Sequence, residues 1–450
     1  MFMNIFNYGK IIILSIFLRK KYDYYGHIND KDYDILIKNI NNCGCIMIKC
    51  IQWMSPILEK QNLDKNIISK FNKLYNKCFI HDIEYTKQQY KNSFNEELID
   101  KYEICGIIGS GSIGQVYKIK DIKEDKYYVL KVLHPNTKSD IIFFKYLLKI
   151  IYNIKTFQKY FFEYCPFNLI DFIDDFYKQI DFVNECNNLL KFRREYKNNQ
   201  HILIPELYNF SDNIIIMEYI PGTCIDDFKG SYHDKSKSLY LLYLFLRNNL
   251  TTINYNHGDL HKYNWAITDI KKENMYKIVI YDYGYCFGLE EEEYAYTMEI
   301  CDLIIMFDKN NKEHKEKYYN FLRYVFNNDK LEITNIFSHN IVKPEILLKE
   351  ILKISRTNRL FIKKIKVLNT ILLSCLVDNY FEHYNINTNN TNDTIRKGQL
   401  DGHVFCETYN MMPELSQIFL SQYKESKQNS NIERKLFESI EFNDKIKALI

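Results

Sequence analysis

Two short polar runs, HGDLHKYN at residues 257–264 and YDYG at residues 281–284, restrict the fold more than any other feature of the chain. The segment between them ends in an apolar run from Tyr276 to Tyr281, which is typical of a buried strand. A lone His-x-Asp or Asp-x-Gly is common in solvent-exposed turns. Here the two motifs occur in this order with a strand between them. The fold must therefore contain a loop, a strand and a second loop that bring these polar side chains together.

The side chains in these runs are those that phosphoryl transfer to a hydroxyl needs. Asp259 would meet the acceptor hydroxyl, and Asn264, five residues later, would turn back to hold one Mg²⁺. Asp282 would hold metal across the phosphates of ATP, and Gly284 would let the chain turn sharply behind it. The two runs therefore predict the catalytic and metal-binding half of a kinase active site.

A glycine-rich run predicts the nucleotide-binding half. Residues 109–116 satisfy the pattern G-x-G-x-x-G-x-V, and glycines let a hairpin bring its backbone N–H groups close to phosphates. A dinucleotide-binding loop would require a helix directly after the glycines, whereas a second strand-like segment follows here, which favours a kinase-type loop. The predicted nucleotide contacts are Gly109, Ser110, Gly111, Ser112, Ile113, Gly114 and Val116.

Lys131 lies on the strand-like segment that follows this loop. A lysine there would reach the α- and β-phosphates, although alone it would more commonly be a lysine extending from a strand edge to water. Such a lysine must be held by a helix glutamate, and Glu185 in the helical stretch DFVNECNNLLKF is the best candidate. The long separation of Lys131 from Glu185 predicts an insertion between strand and helix.

Length, charge and cysteine content set broader limits. The 450 residues suffice for two lobes or two domains. With 60 basic and 57 acidic residues the formal charge is only +3, so no nucleic-acid partner is predicted. The 12 cysteines show no C-x-x-C pair or zinc spacing, as expected of reduced thiols in an intracellular protein. Cys43 and Cys45 could form a metal or redox pair, but packing is the favoured interpretation.

The first 22 residues contain one apolar run, Ile11 to Leu18, followed by most of the basic residues. Eight residues are too few to span a bilayer, and the order of charge and apolar run is wrong for a signal peptide. Two alternatives stay open, an amphipathic anchor at a membrane surface and a first helix packed on the protein, with the packed helix favoured. No transmembrane helix is predicted, and the compartment stays open.

Hydrophobic periodicity divides the chain into three predicted parts. Residues 1–100 are predicted to be a helical extension, residues 101–221 a small strand-rich lobe with a helical insert, and residues 222–450 a large helical lobe. Helix is predicted throughout 222–256, and again from 290 to 450 apart from the Asn/Thr run at 385–394. The Pro221-Gly222 pair is predicted to mark the boundary between the lobes.

Over roughly residues 40 to 290 the sequence resembles the UbiB/ADCK (aarF-domain) family of atypical kinases. Residues 49–52 look like the K-x-G-Q signature of that family, with Ile51 in place of its glycine. Residues 179–181 followed by Glu185 look like its E-x-D element and helix glutamate, with Gln179 in place of the first acid. The runs SIGQVYK at 112–118 and KVLHP at 131–135 follow the family closely, whereas Gly109 to Gly111 replace its alanine-rich segment.

This resemblance implies an α+β, protein-kinase-like bilobal fold with a small β-rich N-lobe, a large helical C-lobe and a helical N-terminal extension over the cleft. Lys49, Gln52 and Asp181 would line that cleft. The resemblance also implies ATP and Mg²⁺ as cofactors. It implies ATPase activity or phosphotransfer to a small molecule or lipid, linked to isoprenoid-quinone metabolism, with peripheral membrane contact as a further expectation.

Two other functions fit part of the sequence. An aminoglycoside- or choline-type small-molecule kinase shares the H-G-D-x-H-x-x-N loop and the D-x-G, but does not explain residues 49–52 or the SIGQVYK run. A pseudokinase scaffold would explain the changes at Ile51 and Gln179, although every core catalytic residue is present.

Overall fold

The computed structural model describes residues 2–25, 28–59, 71, 80–154, 167–272, 275–306, 308, 310–333 and 344–384. The Asn/Thr run at 385–394 and the helix predicted for residues 395–450 lie outside the described residues. The chain divides into two compact units. Unit 1 comprises Met1–Lys191 and Pro205–Tyr219, and unit 2 comprises Phe192–Ile204 and Ile220–Ile450.

Unit 1 contains an antiparallel five-stranded sheet in the order β1-β2-β3-β6-β5. Its strands are β1 (Tyr102–Ser110), β2 (Gly114–Asp121), β3 (Tyr127–Leu133), β5 (Leu207–Phe210) and β6 (Ile214–Glu218). A charged turn joins β2 to β3, and in it the Asp121 carboxylate accepts hydrogen bonds from the N–H groups of Lys123 and Glu124. The strand-like segments predicted after the glycine-rich run are confirmed as β2 and β3.

The helices that the structure describes in unit 1 precede β1 or follow β3. They are α1 (Phe2–Tyr25), α2 (Asp30–Asn42), α3 (Cys45–Glu59), α4 (Ile83–Phe94), α5 (Leu98–Lys101), α6 (Thr137–Tyr152), α7 (Leu169–Gln179) and α8 (Phe182–Glu195), which begins in this unit. Helix α4 shows how the sequence sets such bounds. Asp82 caps its first turn by accepting a hydrogen bond from the N–H of Glu84, and Asn95 ends it in the left-handed region, at φ 55°.

One face of the unit 1 sheet carries an apolar core. Side chains alternate along a strand, so Leu130 and Val132 of β3 point to the same face, where they pack in one cluster with Tyr90 of α4 and Leu98 of α5. Lys131, which lies between them, therefore points to the opposite face. This alternation separates the stabilising face of β3 from the face that carries the charged group.

Unit 2 contains a three-stranded sheet and a two-stranded one. The first has the order β4-β9-β8 and the second pairs β7 with β10. The strands are β4 (Ile202–Leu203), β7 (Asn256–His257), β8 (Trp265–Lys272), β9 (Met275–Ile280) and β10 (Cys286–Phe287). The helices described in this unit are α9 (Tyr232–Asn248), α10 (Glu291–Met306), α11 (Lys312–Phe326), α12 (Pro344–Asn358) and α13 (Ile365–His383).

The prediction of helix throughout residues 222–256 is wrong at both ends, over residues 222–231 and 254–256. Thr223 and Ile267 exchange two backbone hydrogen bonds, of 2.8 and 3.0 Å, which hold this segment against β8. A Cβ atom on Gly222 would lie 2.6 Å from the Cβ atom of Ala266, so only glycine allows this approach. Helix α9 begins only at Tyr232, capped by Ser231, and ends in a π-helical turn over Asn249–Ile253.

No helix of the described part of the chain is both long and apolar enough to cross a membrane. The cysteines within the described ranges are free thiols, and those of the Cys43-x-Cys45 pair are buried. Burial raises the pKa of both thiols to about 12, so neither is a thiolate near neutral pH. These two side chains pack as small apolar groups, as the sequence favoured.

Candidate functional site

The predicted site residues fall into two groups, one in each unit. In unit 1 the centre is an ion pair between Lys131 of β3 and Glu185 of α8. The Nζ atom of Lys131 lies 2.7 Å from one carboxylate oxygen of Glu185 and 2.9 Å from the other. Both side chains are buried, and the ring of Phe182 lies 5.5 Å from the ammonium group. Sequence reasoning named both partners of this pair.

The helix that carries Glu185 is held in place by Asp181. The Asp181 carboxylate accepts hydrogen bonds from the N–H groups of Val183 and Asn184, at 3.0 and 3.3 Å, and so caps α8. This cap fixes where α8 begins, which places Glu185 in its first turn. Gln179 lies buried at the end of the preceding helix α7. Asp181, the acid of the E-x-D element that this chain retains, therefore positions Glu185 by capping its helix.

The three loop glycines meet different surroundings. A Cβ atom on Gly114 would lie 2.7 Å from the carbonyl oxygen of Val132, so glycine is needed there to let β2 pack on β3. A Cβ atom on Gly109 would meet no atom within 4 Å, and one on Gly111 only a carbonyl at 3.9 Å. Gly114 is thus required by packing, whereas Gly109 and Gly111 leave open space beside the backbone, as a phosphate-binding loop needs.

The other predicted contacts of the loop lie on both sides of the turn. Ser110 ends β1, Ser112 and Ile113 are buried in the turn, and Val116 lies on β2 directly opposite Lys131 of β3. The strand register therefore brings the glycine-rich loop and the lysine together, as predicted.

Lys49 and Gln52 lie on α3 of unit 1, and both side chains are buried. The role predicted for Lys49 and Gln52 as lining a cleft stays a prediction.

In unit 2 the two polar runs meet through a short pair of strands. Residue His257 of β7 pairs with Cys286 of β10, and the N–H of Gly258 donates to the carbonyl oxygen of Tyr285 at 2.7 Å. A Cβ atom on Gly258 would lie 2.5 Å from the Tyr285 ring, which explains the glycine of HGD. The 257–264 loop and the 281–284 loop are thus neighbours, as the order of motifs predicted.

His257 connects the same two loops by hydrogen bonds. Its Nε2 donates to the carbonyl oxygen of Tyr281 at 3.0 Å, and its Nδ1 accepts from the N–H of Asp259 at 3.4 Å. Burial lowers the pKa of this histidine, which keeps the ring neutral with its proton on Nε2. The imidazole thereby links the backbone of Tyr281, which precedes Asp282, to the backbone of Asp259.

Asn264 turns back towards Asp259, as predicted. Its side-chain nitrogen donates to the backbone carbonyl oxygen of Asp259 at 2.7 Å. Its backbone carbonyl oxygen accepts from the N–H of Tyr281 at 2.8 Å. Since the amide nitrogen is used in this way, the side-chain oxygen is the atom that could ligate a metal ion. The Asp259 carboxylate is about one quarter exposed and lies 4.0 Å from the Nε2 atom of His261.

Asp282 has a left-handed backbone, with φ 54°. The N–H of Gly284 donates to its carboxylate at 3.2 Å. The chain bends at Gly284, as the sequence predicted, but the residue with the left-handed backbone is Asp282 and not the glycine. A non-glycine residue in this region is strained, and such strain concentrates at functional sites.

The donor set suits Mg²⁺. Within the described ranges no three His, Cys, Asp or Glu side chains form a metal cluster. A kinase-type magnesium site does not require one, because one Asp, one Asn and the phosphates supply its oxygen ligands. Asn264 and Asp282, joined through the hydrogen bond between Asn264 and Tyr281, match that set in residue type.

Helix α13 supports the 257–264 loop and the segment after Gly284, a role that sequence reasoning missed. The hydroxyl of Tyr380 donates to the carbonyl oxygen of Leu260 at 3.5 Å, and Asn369 hydrogen-bonds to the hydroxyl of Tyr285. Lys366 donates to the carbonyl oxygen of Gly288 at 3.0 Å. No local pattern links a helix to a loop about a hundred residues earlier, so these contacts had no signal in the sequence.

A second support holds Lys262, within the 257–264 loop. Its Nζ atom lies 2.6 Å from the Asp226 carboxylate, which also accepts a hydrogen bond from the hydroxyl of Tyr384 just beyond α13. Burial acts to raise the pKa of Asp226, but the hydrogen bonds from Lys262 and Tyr384 outweigh it and leave that pKa lowered. Asp226 is therefore charged near neutral pH and joins the 257–264 loop to Tyr384 at the end of the described chain.

Known proteins are similar to this chain over the part that contains these residues. Residues 73–318 match the sequence model of the ABC1 atypical kinase-like domain. The chain is 28% identical to the probable serine/threonine-protein kinase abkC of Dictyostelium discoideum over 254 residues, covering 55% of this chain and 36% of that protein. It is 23% identical to the probable protein kinase UbiB of Cronobacter sakazakii over 249 residues, covering 52% of this chain and 44% of that protein.

The chain thus spans less than half the length of these two relatives. Among solved structures, a complex of Rv3197 with erythromycin from Mycobacterium tuberculosis matches 67% of this chain and 82% of its own, at 13% identity and a TM-score of 0.38. The matched domain includes both predicted groups of catalytic residues and excludes Lys49, Gln52 and α13.

Proposed function

Because the chain belongs to the ABC1 atypical kinase-like family, as its resemblance to UbiB and aarF-domain kinases predicted, we propose that it is an ATP- and Mg²⁺-dependent phosphotransferase or ATPase. The observation that carries the proposal is the buried ion pair between Lys131 and Glu185. The free energy needed to remove two charges from water usually exceeds the gain from their attraction, so a buried ion pair adds little to the stability of the fold. A lysine held ready for phosphate oxygens explains why it is kept.

Each predicted residue has a part in this proposal. In unit 1, Lys131 contacts the α- and β-phosphates, and residues 109–116 surround the phosphates with backbone N–H groups. In unit 2, Asn264 and Asp282 hold Mg²⁺, which neutralises charge on the phosphates when bound. Asp259 orients the hydroxyl of the acceptor, or a water molecule in an ATPase, and accepts its proton.

The proposed acceptor is a small molecule or a lipid, in a reaction linked to isoprenoid-quinone metabolism. The support for this class is the resemblance of residues 49–52 to the K-x-G-Q signature, with Lys49 and Gln52 predicted to line the cleft of a bilobal kinase fold. The proposal includes an intracellular protein with peripheral membrane contact. The domain bounds at 1–100, 101–221 and 222–450 belong to the same proposal.

Nucleotide binding is the first test. The purified chain is expected to unfold at a higher temperature with Mg–ATP than without it, and Asp282→Asn is expected to lose this shift. A wild-type chain whose melting temperature does not respond to Mg–ATP would overturn the proposal. Binding without turnover, in the presence and absence of lipid, would instead indicate a pseudokinase, the function that Ile51 and Gln179 would favour.

The acceptor needs a separate screen. Incubating the chain with labelled ATP and extracted lipids, isoprenoid quinone precursors or soluble small molecules would identify the phosphorylated product. Transfer to a choline or an amino sugar would instead assign the chain to the other class of small-molecule kinases that share its H-G-D-x-H-x-x-N loop.

A further inference from the structure

Two buried histidines in unit 1 have no part in the proposed chemistry. His81 immediately precedes the capping residue of α4, and His134 belongs to the KVLHP run after β3. Their side chains are only 4% and 7% exposed, and their Nδ1 atoms lie 2.9 Å apart, which is a hydrogen bond. A buried pair of histidines is costly to keep, so its surroundings are informative.

The hydrogen bonds around the pair have a single consistent direction when both rings are neutral. The Nε2 atom of His134 lies 3.1 Å from the carbonyl oxygen of Gly111, which can only accept, so Nε2 carries the proton. The Nδ1 atom of His134 then accepts from Nδ1–H of His81. The Nε2 atom of His81 in turn accepts from the hydroxyl of Thr86, at 2.9 Å.

The same chain of hydrogen bonds continues to strand β2. The hydroxyl of Tyr117 lies 2.9 Å from that of Thr86 and accepts from the side-chain nitrogen of Gln115. The side-chain oxygen of Gln115 accepts from the N–H of His81 at 2.9 Å, which closes a ring. Burial lowers the pKa of His81 to about 4 and that of His134 below its ordinary value, so both rings are neutral near pH 7.

His134 holds the glycine-rich turn at two points. Its side chain donates to the carbonyl oxygen of Gly111, and its backbone N–H donates to the carbonyl oxygen of Ile113 at 2.9 Å. The turn is closed within itself by the N–H of Gly111, which donates to the carbonyl oxygen of Gly114 at 3.0 Å. Glycines give this turn freedom, and His134 restricts it.

We infer that His81 and His134 are positioning residues that hold the Gly109–Gly111 turn in the conformation that grips nucleotide phosphates. His134 binds the turn, and His81 orients His134 by fixing which of its nitrogens carries the proton. The segment that precedes α4 thereby sets the nucleotide affinity of the loop. This inference rests on the proposed function only in its last step, since the restriction of the turn does not require ATP.

Two measurements test these steps separately. The first is hydrogen exchange of the peptide covering residues 106–116 in the nucleotide-free protein, and the second is the dissociation constant of Mg–ATP. His134→Phe removes the donor to Gly111 and is expected to speed exchange about tenfold and to weaken nucleotide binding about tenfold. His134→Gln keeps an N–H donor near the position of Nε2 and is expected to restore most of both.

His81→Phe is expected to have the same effects in the wild-type background and little further effect in the presence of His134→Phe, because it acts through His134. Tyr85→Phe is the matched control, since the ring of Tyr85 packs on His81 but its hydroxyl is not in the chain of hydrogen bonds described above. It is expected to leave both measurements unchanged.

Several outcomes would overturn the inference. Wild-type exchange rates in His134→Phe would show that the turn is not held by this residue, whether or not the chain binds ATP. Faster exchange with unchanged Mg–ATP affinity would show that the restricted turn does not grip phosphates. Additive effects of His81→Phe and His134→Phe would show that His81 does not act through His134. A wild-type chain that fails to bind Mg–ATP would overturn the proposed function and the last step, with the exchange result unaffected.

Discussion

Lys131 and Glu185 are joined by two short contacts, 2.7 and 2.9 Å from one ammonium nitrogen to both oxygens of one carboxylate, although 54 residues separate them in the chain. The pair is buried and lies on the face of β3 opposite to the apolar core. Its geometry leads to a prediction that distinguishes function from stability.

Glu185→Ala leaves the Lys131 ammonium buried without its main partner and is expected to cost about 3–5 kcal/mol of unfolding free energy. The double variant Lys131→Met, Glu185→Leu replaces both charges by apolar groups of similar volume and is expected to recover most of that stability. It should still fail to bind Mg–ATP. Urea unfolding and nucleotide titration of the three proteins check this, and a double variant that binds ATP would remove Lys131 from the nucleotide site.

Asp282→Gly relieves a left-handed backbone conformation that an aspartate adopts at a cost. We expect this variant to be more stable than the wild type by about 1 kcal/mol, measured by urea unfolding, and to have lost Mg²⁺-dependent nucleotide binding. Asp282→Asn keeps the strained backbone and is the control for the lost carboxylate. Equal or lower stability of Asp282→Gly would contradict the idea that strain is stored at this position.

Gly114→Ala is expected to destabilise unit 1, because the added methyl group would lie 2.7 Å from the carbonyl oxygen of Val132. A cost of about 1–3 kcal/mol is typical of such overpacking. Gly109→Ala adds the same group to open space and is expected to leave stability nearly unchanged while weakening Mg–ATP binding. Equal thermal midpoints for the two variants would contradict this distinction.

The stability of the protein is expected to fall as pH is lowered from 6.5 to 4, with a contribution from His81. Burial, with a further effect of His134, lowers the pKa of this histidine to about 4 from its ordinary 6.5, while Asp82 acts in the opposite direction. Between these pH values the unfolded chain binds more protons than the folded protein, so stability rises with pH through this window and levels off above it.

At pH 5 the loss from this single group amounts to about 1–2 kcal/mol relative to pH 7.5. Urea midpoints measured across the range for the wild type and for His81→Gln would isolate it. The variant is expected to show a shallower dependence on pH. An identical dependence in both proteins would mean that His81 keeps its ordinary pKa in the folded state.

Tyr384→Phe removes one of the two described side-chain donors to Asp226 and is expected to loosen the 257–264 loop through Lys262. Hydrogen exchange of residues 257–264 should rise several-fold, with a loss of about 1 kcal/mol in stability. Tyr232→Phe, at an exposed position of α9, is the matched control. An unchanged exchange rate of residues 257–264 would show that Tyr384 does not support this loop.

The sequence predicts those parts of the structure that depend on short-range patterns. The alternation of residues around Lys131, the glycine-rich turn and the spacing from Asp259 to Asn264 each follow from neighbours a few positions away. The ion pair was found because a buried lysine requires an acid, and the helix that contains Glu185 supplied it. The mixed helix and strand content follows from the same periodicity.

Other parts depend on contacts between distant segments and could not be predicted. The support of Leu260 by Tyr380 spans 120 residues and involves an ordinary tyrosine in an apolar helix. The left-handed backbone of Asp282 could not be predicted either, since by propensity Gly284 was the better candidate for that conformation. The helix predicted from residue 222 failed because Thr223 finds backbone partners on β8.

The contact between Lys131 and Glu185 closes a segment of the chain that contains α6 and α7. The entropy lost on closing a flexible loop grows only with the logarithm of its length, so doubling the segment would cost only about 0.6 kcal/mol. Asp181 fixes the start of α8 locally, whatever precedes it. The inserted segment can therefore lengthen, shorten or be replaced during evolution while the ion pair keeps its geometry, which makes this the place where related chains can acquire new surfaces at little thermodynamic cost.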